Sequence, residues 1–182
     1  MIETDRLRLR RWEPRDLAPF AALNADPEVM ALMPRRLDRA ASDDLVARID
    51  ARWREDGIGF AVAERREDGA FLGMVGLSVL RLDTEPAPCM EVGWRLARAH
   101  WGQGYVREAA RAWIAHGFGT LGLDEIVAIT VPANARSLAV MRRLGMRECP
   151  ERAFQHPALP EGHPLRWHVM HVIDRRDWMV QG

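Results

Sequence analysis

Cysteine is scarce: Cys89 and Cys149 are the only two in 182 residues. Two thiols so placed make neither a disulfide framework nor a metal-ligand cluster, so a reducing compartment, most simply the cytoplasm, is expected. Long apolar runs are lacking as well. No uninterrupted stretch approaches the ~20 residues that a membrane span requires, and MIETDRLRLRR is charged from its third residue, which argues against export and membrane insertion alike. Excess charge of either sign is missing: 26 basic residues face 26 acidic ones. That balance disfavours a broad nucleic-acid surface and leaves any phosphate recognition local. The string G-x-x-x-x-G-K-S/T does not occur, which excludes a P-loop, and no internal repeat or low-complexity tract interrupts the chain.

What is present is an apolar content of 48%, enough at this length for one domain, residues 1–182, with a real core. Leu7 and Leu9 alternate with arginines as on a half-buried strand, and Pro14 opens a helix containing Leu17, Phe20, Ala21 and Leu23. NADPEVM and MPRR read as a loop, after which Ser42 is the expected cap of a helix bearing Leu45, Val46, Ile49 and Trp53 and ending at Gly57 and Gly59. Strands are expected over 60–63 and 71–82, joined by RREDG as a hairpin. DTEPAP then separates them from a strand over 90–96. Val106, Ala109, Ala110, Trp113, Ile114, Gly117 and Phe118 recur at helical spacing and form one apolar stripe. A β-branched run over 125–131, a helix over 134–144 that stops at Gly145, a proline-rich loop and a last strand over 165–173 complete an α/β chain.

The junction between the strand over 90–96 and the long helix reads HWGQGY, with Gly102 and Gly104 bracketing Gln103. A helix that begins directly after a strand leaves its first N–H groups unpaired and turns its positive dipole end toward the loop. Removing Cβ there lets a pyrophosphate approach the main chain, with Arg98 and Arg107 nearby as added charge. A second reading stands beside the first: the glycines serve a tight turn that requires positive φ. A dinucleotide fingerprint would place a third glycine where Arg107 stands and would follow the first strand of the chain, so NAD is disfavoured.

Together, ETDRLRLRRWEPRDL, NADPEVM, EVGWRLARAHWGQGYVREAA and NARSLAVMRRLGM resemble, in that order, the ribosomal-protein N-acetyltransferase (Rim-type) branch of the GNAT acetyltransferase superfamily. The resemblance implies an α/β (α+β) fold: a mixed, mostly antiparallel sheet flanked by helices and splayed between its fourth and fifth strands, with acetyl-CoA in the gap. It implies a cofactor loop of Trp101, Gly102, Gln103, Gly104, Tyr105 and Val106, and a pantetheine arm lying along Trp94, Arg95 and Leu96 as an added strand. Glu91 is the implied general base, with a solvated or salt-bridged strand carboxylate as its structural alternative. The tyrosine that protonates the leaving thiolate in many relatives is replaced by Met141. Asn134 is implied to hold the pantetheine and Ser137 to hydrogen-bond the sulfur, although Asn at a helix start is also a common cap. Arg143, ahead of Arg142, is implied to reach the 3′-phosphate, and Arg98 to assist at the loop.

No metal is expected. His168 and His171 face opposite sides of one strand, and neither they nor His163 have a suitably placed Cys or acidic partner. His156 reads as a loop histidine. Cys89 lacks an activating base and is not an acyl-enzyme nucleophile. The expected activity is acetyl transfer from acetyl-CoA to an amine, a protein N-terminal α-amine or a small molecule, by a monomer or homodimer with no nucleic-acid or membrane partner. A longer donor such as succinyl-CoA and a non-catalytic CoA-sensing domain are the alternatives.

Overall fold

The computed structural model describes residues 1–82 and 88–181; the expected DTEPAP separator falls, but for Pro88, outside the described residues. The chain opens with β1 (Ile2–Glu3) and β2 (Leu7–Arg10), in which Leu7 and Leu9 are buried as their alternation predicts. A 3-10 turn at Pro14–Asp16 leads into α1 (Leu17–Ala25), followed by α2 (Arg39–Asp56). The cap of α2 is Asp38, whose carboxylate accepts from the Ala41 N–H at 2.8 Å. Ser42, expected as the cap, lies inside the helix. Its hydroxyl is fully buried and accepts from Asn24 Nδ2 of α1 at 2.9 Å, a tertiary contact that overrides the local capping preference.

The expected hairpin forms from β3 (Phe60–Arg65) and β4 (Phe71–Leu80), with Gly69 in the left-handed region at φ 73°. Then come β5 (Cys89–Leu96), α3 (Tyr105–Gly119), β6 (Glu125–Thr130) and α4 (Ala135–Arg143). The proline-rich segment after Cys149 is less loop-like than its composition suggests: it holds β8 (Phe154–Gln155), which pairs with β9 (Trp167–Asp174), as does β7 (Arg147–Glu148) just before the segment. A short α5 (Arg175–Gln181) ends the described chain. Among the described residues no helix is long and apolar enough to cross a membrane.

The sheet runs β1-β2-β3-β4-β5-β6-β9-β7. Antiparallel ladders tie β4 to β5 over eight register pairs and β6 to β9 over six. Between them, β5 and β6 run parallel and share one register pair, Glu91 with Val127. No further register pair joins them, which fits the splay expected between the fourth and fifth strands when the short β1 is left uncounted. α3 packs on one face, where Ala109, Ala110, Trp113, Ile114 and Phe118 meet Leu7, Val75, Leu77, Val92 and Leu96. The helix lies so close that a Cβ on Gly117 would come within 2.7 Å of Ile126 Cδ1. On the other face Phe20, Leu23, Val46 and Ile49 of α1 and α2 pack against Met74, with Phe60 and Phe71 at the margin.

A buried ion cluster pins the end of β2. Arg10 makes a bidentate pair with Asp16 (2.7 and 2.8 Å) and donates through Nε to Glu64 at 2.8 Å. The side chains of Asp16 and Glu64 are each 2% exposed, so neither charge is left to water. Removing one partner strands the other charge in the interior. Asp16→Ala is expected to cost about 3 kcal/mol, in the range for breaking a buried pair, read as a lower urea midpoint at unchanged slope; a loss below about 1 kcal/mol contradicts this account of the cluster.

Candidate active site

Where β5 and β6 diverge, each leads into a helix whose N-terminus borders the opening. α4 is capped: Asn134 Oδ1 accepts from the Ser137 N–H at 3.2 Å, and Asn134 Nδ2 donates to Thr130 Oγ1 at 3.0 Å. α3 is not. Its N-cap is Gly104, which has no side chain to offer, so the first-turn N–H groups point outward without a partner from the cap. Gly102 and Gly104 adopt φ of 75° and 81°, so the turn does require them on conformational grounds. The cradle geometry is present as well. A Cβ built on Gly102 meets nothing within 4 Å, and one on Gly104 meets only Arg6 Nη2, at 3.5 Å. The loop therefore presents bare, exposed main chain at the positive end of a 15-residue helix.

The cation beside this loop is Arg6, which the sequence reading missed. It reaches across from the turn between β1 and β2, donates to the Gln103 carbonyl at 3.0 Å, pairs with Glu108 at 2.7 Å and covers the Tyr105 ring at 4.6 Å. Nothing local in the sequence links positions 6 and 103; only the packing of β2 against α3 brings them together. Arg98, expected near the loop's anion, instead pairs with Glu28 in the segment after α1 at 2.7 Å. Arg107 and Arg143 are exposed. Trp101 donates from its indole to the Leu96 carbonyl at 2.9 Å and carries the Arg136 guanidinium 4.1 Å above its ring, so a second unforeseen arginine, from α4, spans the opening. The Gln103 side chain folds back onto the Ala99 carbonyl at 3.0 Å.

Trp94 and Val106 pack half-buried against the main core, and Leu96 and Tyr105 lie within it. Beyond Glu91, the edge of β5 that carries Trp94, Arg95 and Leu96 has no strand partner on its β6 side among the described residues. The Arg95 side chain faces the other way, toward α1, where Nη1 donates to Asn24 Oδ1 at 2.6 Å.

Glu91 sits beside Ser78 on β4, and its Oε1 lies 3.7 Å from where a Cβ on Gly93 would stand. Burial pushes its carboxyl up to about 7, opposed only in part by the Arg52 guanidinium on α2. It has no salt-bridge partner within 4 Å among the described residues, whereas Glu64 on β3 has Arg8, Arg10 and Arg15. A carboxyl held near neutrality at a partly exposed position has the acid–base character that amine deprotonation needs. Met141 is 1% exposed and belongs to the core, and the chain's single tyrosine is Tyr105, beneath Arg6. Cys89 is pushed up to about 11 by burial and is no nucleophile at neutral pH. His168 stacks on Phe154 while His171 is buried between β6 and β7.

The sequence matches the family model for an acetyltransferase (GNAT) domain over residues 6–147. The chain belongs to the GNAT acetyltransferase family. It is accordingly an acetyl-CoA-dependent N-acetyltransferase. It is 35% identical to the uncharacterized protein YkkB of Bacillus subtilis, over 80% of this chain and 84% of that protein. An acetyltransferase structure from Agrobacterium tumefaciens superposes with a TM-score of 0.77 at 27% identity, covering 94% of this chain and 92% of that one. The Rim-type resemblance is matched at the level of fold by Mycobacterium smegmatis RimJ, with a TM-score of 0.72 at 19% identity over 97% and 93% of the two chains.

The raised Glu91 carboxyl has a pH signature. Its folded value, about 7, lies above the ordinary 4.5, so the acidic form is retained up to neutrality and the base becomes available as pH rises through 7. The log of kcat/KM is expected to climb through an apparent pKa near 7. Glu91→Gln should remove that limb, with the greatest loss between about pH 7 and 8, where an α-amine is still mostly protonated. The sign for stability is opposite: ionising this buried group is costly, so the parent should lose stability relative to Glu91→Gln as pH rises from 4.5 to 7. Superimposable pH–rate profiles for the two proteins contradict the assignment.

Proposed function

We propose that residues 1–182 form one domain that transfers an acetyl group from acetyl-CoA to a primary amine by direct attack, without a covalent enzyme intermediate. The observation that carries this reading is the coincidence, at one opening, of an unpaired β5 edge, an uncapped glycine-flanked α3 N-terminus and a carboxyl of raised pKa. The donor supplies an activated acetyl group as a thioester. The N–H groups of Gly102 to Val106 would hold its diphosphate, with Arg6 adding positive charge at the same loop. The free edge of β5 along Trp94, Arg95 and Leu96 would receive the pantetheine amides through main-chain hydrogen bonds.

In this reading Asn134 keeps its capping bonds and fixes the first turn of α4, which sets Ser137 and Arg136 beside the opening. Glu91 takes the proton from the incoming amine, directly or through water, and so maintains the neutral nucleophile. Protonation of the departing thiolate falls to Ser137 or to solvent, since the position of the usual tyrosine is filled by core Met141. With one thiol buried and the other of raised pKa, covalent catalysis by cysteine has no support. The free cysteines fit a reducing setting such as the cytoplasm.

Two measurements test this reading. Thiol release from acetyl-CoA, followed across peptides and small amines with mass detection of the acetylated product, should exceed background for at least one acceptor class; CoA binding without release from any amine supports the CoA-sensing alternative. Faster initial rates with succinyl-CoA than with acetyl-CoA would reassign the donor. Gly102→Val places a β-branched residue at φ 75° and is expected to weaken CoA binding at least ~10-fold by calorimetry; unchanged affinity in a folded variant contradicts the cradle.

A further inference from the structure

Arg95 is a cation without an anion. It is mostly enclosed, yet no carboxylate lies within salt-bridge distance of it among the described residues, and its one hydrogen bond within the protein is to the neutral amide oxygen of Asn24. Burial alone lowers its guanidinium to about 10, with no acidic neighbour opposing the shift. The more deeply buried Arg10, by contrast, is matched by Asp16 and Glu64. The stretch outside the described residues adjoins the Cys89 end of β5, while Arg95 pairs with Met74 near the other end of that strand.

Its surroundings make the imbalance specific. Glu91, Gly93 and Arg95 alternate onto the same face of β5, opposite Ser78, Gly76 and Met74 of β4. That face looks toward α1 and α2. Between the two charged residues Gly93 contributes no side chain, and Phe60 closes over it, since a Cβ there would lie 2.8 Å from the ring. Glu91 and Arg95 are four residue steps apart on the strand, about 13 Å along the backbone, and Glu91 Oε1 leans toward Gly93, which shortens that span. The ionic groups facing the strip are Arg52 beside Glu91, and at the Arg95 end Arg98, already paired with Glu28. The face thus carries Glu91 against Arg52 and Arg95, an excess of positive charge around a single base.

We infer that Arg95 is an anion clamp for the acceptor, so that the amine substrate carries an anionic oxygen group, in the first instance a carboxylate, held at Arg95 while the amine meets Glu91. The inference rests on reading this face of β5 as the acceptor side of the transferase. A planar guanidinium with its remaining N–H groups uncommitted suits a two-oxygen anion, and one whose charge is already desolvated gains more from pairing than an exposed one. Asn24 positions the clamp: its Oδ1 takes one N–H of Arg95, its Nδ2 anchors to Ser42 and its carbonyl accepts from the Leu37 N–H. The same charge distribution repels polyamines, which bring further cations.

The test compares initial rates of thiol release with four acceptors: dipeptides with a free C-terminal carboxylate, the same dipeptides as C-terminal amides, aminoalkyl phosphates, and spermidine. The expected result is a kcat/KM at least ~10-fold higher for the carboxylate than for its amide, expressed mainly in KM, with spermidine poorest. Arg95→Met should bring the carboxylate-to-amide ratio close to one, and Arg95→Lys should restore part of it; CoA binding by calorimetry shows that each variant is folded. If Arg95→Met does not fold, the substrate ratio in the parent protein decides alone. A higher rate with phosphates than with carboxylates keeps the clamp and changes its anion. Equal use of amide and carboxylate, preference for spermidine, or a ratio unchanged in Arg95→Met overturns the inference while the transferase reading stands. No release from any acceptor overturns both.

Discussion

Two adjacent strands that stop pairing after one register position are the constraint on which the rest of this molecule depends. β5 and β6 are parallel, so a crossover must join them, and α3 is that crossover. Because the strands touch at Glu91 and Val127 and then part, the start of α3 and the start of α4 both arrive at a gap rather than at a continuous sheet. The gap exposes main-chain groups of β5, and the crossover helix contributes its unpaired N–H groups at the same place. A binding edge, an anion site and the Glu91 carboxyl are therefore consequences of one topological event.

Packing on both sheet faces holds that gap open without external support. α3 is pressed against the sheet closely enough that Gly117, near its C-terminal end, has no room for a side chain. On the opposite face α1 and α2 cover β4 and β5, and Asn24 ties the end of α1 to Ser42 and Arg95. The chain contains no lysine; all 26 basic residues are arginine. The planar, delocalised guanidinium accounts for much of what is seen: the forked pair of Arg10 with Asp16, and the stacking of Arg6 on Tyr105 and Arg136 on Trp101. An N-acetyltransferase so composed also offers no lysine amine of its own to the acyl group.

The elements legible in the sequence were those decided by local pattern. The apolar stripe of α3, the hairpin around Asp68 and Gly69, and the left-handed stop at Gly57 emerge as their spacing and turn chemistry dictate. Where tertiary contacts decide, local rules failed in identifiable ways. Ser42 has the chemistry of a cap, but Asn24 claims its hydroxyl and Asp38 takes the terminus. Arg98 and Arg107 were the cations nearest the glycines in sequence, whereas the one nearest in space is Arg6, brought there by β2 packing against α3. The seven-residue α5 is short and largely polar, so it gave no periodic signal. At the site itself, Glu91 was recognisable from its place in EVGW, but the lack of a neighbouring counterion and the unpaired state of Arg95 depend on side chains distant in sequence.

The central claim is that the opening between β5 and β6 receives the acyl donor with its diphosphate against the bare turn that starts α3. The most direct measurement is a crystal structure of the protein with bound CoA. The account predicts diphosphate oxygens within hydrogen-bond distance of main-chain N–H groups between Gly102 and Val106, and pantetheine amides paired with the free edge of β5. A well-ordered CoA whose diphosphate lies away from this turn, or whose pantetheine arm runs outside the gap, contradicts it.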